Sequence, residues 1–135
     1  MKLNKQRGFS LLEILIAFSI LALSLGILLK IFSAGVNTAG VAEEYTAAVQ
    51  IAEALMAKTG VETPLQPGES DGLEHDKYQW QVSVSPFQFA AGNLDASALP
   101  MVLFKVKVTV SWGDRNARTD ARQVELITLK LANKL

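Results

Sequence analysis

The side chain best placed to do chemistry is Glu13, because everything around it is apolar. From Phe9 to Leu29 the only other polar residues are Ser10, Ser19 and Ser24. A carboxylate at mid-bilayer costs about 2.5 to 3.5 kcal/mol on insertion scales, so an acid in such a run asks for a function. Glu13 sits near one end of the run, where the cost is smaller and a glutamate can also snorkel to the headgroups. The other titratable groups offer less. His75 is the single histidine and the chain has no cysteine, so no transition-metal site is expected. Glu69, Asp71, Glu74 and Asp76 gather hard oxygen ligands of the kind that hold calcium, but their spacing does not fit an EF-hand, and a solvated acidic loop is the expectation. Glu43 and Glu44 are adjacent on a helix and read as solvated. With no cysteine nucleophile and no serine in a nucleophile elbow, an enzyme is not expected, nor any metal or cofactor.

The element that positions Glu13 is a membrane helix. Residues 9–29 at about 1.5 Å per residue make a rod of roughly 31 Å, the thickness of a bilayer's hydrocarbon core. Lys2, Lys5 and Arg7 precede it with no acid among them, which keeps the N-terminus cytoplasmic and sends the C-terminal body across the membrane. A cleaved secretory signal would have a shorter apolar core before a small-residue cut such as Ser33-Ala34-Gly35. A plain single-pass anchor accounts for the length but not for Glu13.

Past Lys30 the helix continues without proline to Lys58, with Gly35 and Gly40 as points of bending or fraying. Val41, Tyr45, Ala48, Ala52 and Leu55 recur at helical spacing and face a core, while Glu43, Glu44, Gln50, Glu53 and Lys58 fall mostly away from it. Thr59-Gly60 ends the helix. A loop rich in proline and glycine follows, and then strands. Tyr78, Trp80, Val82 and Val84 alternate with Gln79, Gln81, Ser83 and Ser85 until Pro86 stops the run. Phe87 to Pro100 reads as an irregular connection with Gly92-Asn93 as a turn, long enough to carry a contact surface. Phe104, Val106, Val108, Val110 and Trp112 form a second alternating strand, and Arg115 to Asp120 a polar tip. The third run, Arg122 to Leu131, changes phase between Leu126 and Ile127, which predicts a bulge or burial on both faces. The stretch after the helix is small for an independent core. The expected fold is therefore α+β: a long N-terminal transmembrane helix whose C-terminal half packs on a small antiparallel sheet. A membrane-anchored periplasmic binding domain has the same outline.

Arg7-Gly8-Phe9-Ser10-Leu11-Leu12-Glu13, a basic leader ending in glycine, then phenylalanine, then glutamate at the fifth place, resembles the signal of type IV pilins and type II secretion pseudopilins. The resemblance implies a leader of residues 1–8, a cut by a membrane prepilin peptidase between Gly8 and Phe9, and N-methylation of Phe9. The amine of Phe9 would then pair with Glu13 of a neighbouring subunit and set the register of packed helices. It also implies residues 9–29 as the transmembrane segment, 30–59 as the periplasmic half of the helix and 60–135 as the sheet region. Without Lys2, Lys5 and Arg7 the chain carries 10 basic and 13 acidic residues, a net charge of −3, which argues against nucleic acid as partner. Many fibre-forming type IV pilins close a C-terminal disulfide, so the absence of cysteine favours the secretion machinery.

Shorter similarities point further. Ile51-Ala52-Glu53, Tyr78-Gln79-Trp80, Phe104 to Trp112 and Leu126-Ile127-Thr128-Leu129 resemble the I-type minor pseudopilin, with a V-type minor pilin as the alternative. The I-type resemblance implies a place at the tip of the pseudopilus, where it initiates assembly and supports export of folded proteins. The implied partners are J-, K- and H-type minor pseudopilins, the major pseudopilin, the inner-membrane assembly platform and membrane lipid.

Overall fold

The computed structural model describes residues 7–88, 100–113 and 121–133. Lys2 and Lys5, the Gly92-Asn93 turn and the tip from Arg115 to Asp120 lie outside them. One α-helix, α1 (Leu11–Lys58), is followed by four strands: β1 (Gly68–Glu74), β2 (Tyr78–Pro86), β3 (Met101–Trp112) and β4 (Arg122–Asn133). The chain divides into two compact units, one ending at Ala42 and one beginning at Glu43.

In the first unit the helix is apolar all round. From Phe9 to Phe32 every large apolar side chain exposes more than half of its surface. Soluble monomers rarely expose an apolar patch of more than a few hundred Å², so the solvent that suits this face is lipid. Two of its hydroxyls are satisfied within the helix: Ser19 donates to the Leu15 carbonyl at 2.8 Å and Thr38 to the Ala34 carbonyl at 2.9 Å. Internal satisfaction of this kind is what hydrocarbon demands. The helix runs unbroken through Gly35 and Gly40.

In the second unit the strands form one antiparallel meander in the order β1-β2-β3-β4. Period-two alternation places Phe104, Val106, Val108, Val110 and Trp112 of β3 on a buried face, with Val106, Val108 and Val110 wholly enclosed. Ala48 and Ala52 are also wholly buried and join the same cluster. Small side chains at these two positions let the helix backbone lie close to the sheet. Tyr45 completes the stripe edge-on against Trp112, the ring centroids 4.8 Å apart. Of the stripe expected from helical spacing, Tyr45, Ala48, Ala52 and Leu55 pack here, and the α+β fold is as the sequence implied.

Two local expectations fail. The stretch Gly68–Glu74, read as part of an acidic loop, is strand β1, paired with β2 over its whole length. It lacks apolar alternation because its packing partner comes from the next strand: Gly72 lies opposite Trp80, and the indole occupies the space a side chain would need. The second failure is β4, which carries no bulge. Its register with β3 is constant from Met101↔Asn133 to Trp112↔Arg122. Ile127, Leu129 and Leu131 simply lie on the outer face, exposed.

The helix ends at Lys58 with several carbonyls to satisfy. The Lys130 ammonium donates to the carbonyls of Met56 at 2.5 Å and Thr59 at 2.6 Å, and Thr59 donates its hydroxyl to Leu55 at 2.8 Å. Gly60 follows with φ 89°, the left-handed conformation that favours glycine.

Candidate functional site

Gly8, Phe9 and Ser10 precede the helix in non-helical backbone, and Glu13 lies in its first turn. Ser10 is the N-cap. Its hydroxyl accepts from the Glu13 amide at 3.2 Å, while the Glu13 carboxylate accepts from the Ser10 amide at 3.3 Å and from the Ser10 hydroxyl at 3.5 Å. This reciprocal capping box satisfies two helix-terminal amides and puts the carboxylate at the positive end of the helix dipole. Sequence reasoning missed this cap, although the Ser-x-x-Glu spacing is its signal.

The capping box keeps Glu13 on the surface, in the open groove it shares with Phe9, Ile14, Ala17, Phe18 and Leu21. Phe9 is 83% exposed, and a Cβ added at Gly8 would meet nothing within 4 Å. The segment around the Gly8-Phe9 bond is therefore open to an enzyme, and Glu13 is open to a partner. Arg7, also exposed, is the described one of the three basic residues that precede the helix.

The other acids are placed differently. Glu69 and Asp71 lie along β1, Glu74 ends it, and His75 and Asp76 form the β1–β2 turn with φ of 52° and 54°. Among the described residues no group of three His, Cys, Asp or Glu side chains gathers so as to hold a metal ion.

Glu44, read as solvated, is a hub between helix and sheet. Its carboxylate accepts from Lys77 Nζ at 2.5 Å, Arg122 Nη1 at 2.7 Å and Trp112 Nε1 at 3.2 Å. The bond from Lys77, then that from Trp112, hold the Glu44 carboxyl below its usual range, and Glu44 in turn raises Lys77. No sequence signal distinguishes Glu44 from Glu43, because the partners come from residues 33 and 78 positions away. This cluster, like the tie from Lys130, fastens the second unit internally.

Residues 3–29 match the family described as the prokaryotic N-terminal methylation motif. The type II secretion system protein I of Xanthomonas campestris pv. campestris is 35% identical over 130 residues, which span 93% of this chain and 94% of that protein. No solved structure matches. Identity at that level along nearly the full length of both chains places this one in the type II secretion system protein I family, the I-type pseudopilins, which are structural components of a secretion machine.

Proposed function

We propose that this chain is a minor pseudopilin of the pseudopilus tip, matured by a cut between Gly8 and Phe9 and N-methylation of Phe9. Residues 1–8 are the leader, 9–29 the single membrane span, 30–59 the periplasmic part of the helix and 60–135 the periplasmic sheet region. The N-terminus starts in the cytoplasm. The observation that carries the reading is Glu13, a carboxylate five places after Gly8 in a helix segment otherwise dressed for lipid and, among the described residues, held only by its own Ser10.

Before assembly the bilayer stores the subunit. The apolar surface from Ile14 to Leu29 later becomes lateral packing in a fibre when the assembly platform extracts the helix. In low dielectric, attraction between the amine of Phe9 on one subunit and Glu13 on its neighbour is far stronger than in water, and it fixes the axial register. The Ser10 bonds are exchanged for that ion pair, so the carboxylate has a partner at every stage. Gly26, Ala17, Ala22 and Ser24 permit close helix approach. J-, K- and H-type minor pseudopilins and the major pseudopilin are the partners proposed, and a tip position fits a start site for assembly and for export of folded proteins.

The test is Glu13→Ala in a strain lacking the native gene. Processing at Gly8 is expected to be unchanged, while co-purification with the other minor pseudopilins and secretion both fall. Normal secretion with that variant would refute the pairing.

A further inference from the structure

The two edges of the sheet are built in opposite ways. β1 has seven residues, three of them acidic (Glu69, Asp71, Glu74) and two glycine. Short length and charge are ordinary devices that keep an edge from pairing with another chain. β4 has neither. It is twelve residues long, contains no proline or bulge, and among the described residues pairs with β3 alone. Of its charges between Val124 and Leu131, Glu125 is held by Lys107 at 3.0 Å and Lys130 is turned to the helix-end carbonyls. What remains along the outer face is Ile127, Leu129 and Leu131, exposed by 53, 45 and 61%.

We infer that the β4 edge receives an extended segment of another protein as a fifth strand. Main-chain groups of the edge pair with the segment, and alternate side chains extend the apolar row, as in other strand additions. Charge specifies the segment further. Lys105 is the register partner of Leu129, so both lie on the outer face, and Lys105 is exposed with no ion pair among the described residues. Strands lie about 4.8 Å apart. An acidic residue on the added strand opposite Leu129 is then about 10 Å from β3, within the combined reach of a glutamate and a lysine across Leu129. The occupant is an extended stretch with apolar residues at alternate positions and one acid among them. A second copy meets this requirement poorly, because it brings Glu125 already paired with its own Lys107 and leaves both Lys105 cations unmatched.

The experiment uses the full chain in detergent micelles and a nine-residue peptide that alternates valine with threonine, one valine replaced by glutamate. Amide hydrogen exchange is expected to slow in residues 124–131 on adding the peptide and to stay unchanged in residues 68–74. Leu129→Lys, at an exposed position outside the core, should weaken binding at least about tenfold. Lys105→Glu should shift the preference to a peptide carrying lysine in place of glutamate. No added protection, equal protection at β1, or undiminished binding by Leu129→Lys would overturn the inference. So would a photoreactive residue at position 129 in native membranes that yields only dimers of this chain or only lipid adducts.

Discussion

Gly72→Ala is expected to destabilise the sheet, against the usual sign of such a change. Gly72 does not have a left-handed backbone. By backbone entropy alone alanine there would stabilise by about 0.4 to 1 kcal/mol. The packing opposes this. A Cβ at Gly72 would lie 2.5 Å from Trp80 Cζ2, 2.7 Å from Cε2 and 2.9 Å from Nε1. Carbon contacts are optimal near about 3.5 to 4.0 Å, so the indole must move by roughly 1 Å. It is a rigid ring packed against the buried cluster, so its movement disturbs that packing. Overpacking of this kind costs about 1 to 3 kcal/mol and exceeds the entropic gain. For a unit of this size that corresponds to a fall in melting temperature of roughly 5 to 20 °C. Trp80 and Trp112 are the two tryptophans of the chain, so intrinsic fluorescence of the full chain in micelles follows this unit. Trp80→Val should remove most of the penalty when combined with Gly72→Ala. A melting temperature for Gly72→Ala equal to or above that of the parent would refute the reasoning.

The Glu44 hub makes stability depend on pH at both ends. Glu44 is lowered from 4.5, so its contribution is fully present above about pH 4.5 and is lost as pH falls through its folded value. Lys77 is raised from 10.5, so its contribution is present below about pH 10.5 and is lost as pH rises through its folded value. Melting temperature should therefore be flat between these limits and fall outside them, and Glu44→Gln should flatten both limbs. Unchanged limbs in that variant would remove the hub. Lys130→Met should cost about 1.5 to 3 kcal/mol, since it strips a charged donor from the carbonyls of Met56 and Thr59. Denaturant midpoints would show it, with Lys130→Arg recovering part of the loss.

Local signals carried much of the fold. Length and apolarity found the membrane helix, 3.6-residue spacing found Ala48 and Ala52, and period-two alternation found β2 and β3. What escaped was non-local. β1 has a glycine where its neighbour's Trp80 lies, so nothing within the strand announces it. In β4 the phase change came from treating every apolar residue as buried, whereas Ile127, Leu129 and Leu131 face outward. Glu44 and Lys130 find partners across the fold, invisible to any short window. The candidate site fared differently, because Gly8, Phe9, Ser10 and Glu13 are contiguous and their geometry is set within one helical turn. The Ser10–Glu13 capping box itself was missed, although its Ser-x-x-Glu spacing stands in the sequence.

The central claim is that this chain is a processed pseudopilin whose new N-terminus does the pairing. The most direct test is the mass of the N-terminal peptide of the protein recovered from its native membrane. The account requires a peptide beginning at Phe9 and carrying one added methyl group. A peptide beginning at Met1, or one beginning after Gly35, would contradict it and leave Glu13 without the partner argued for it.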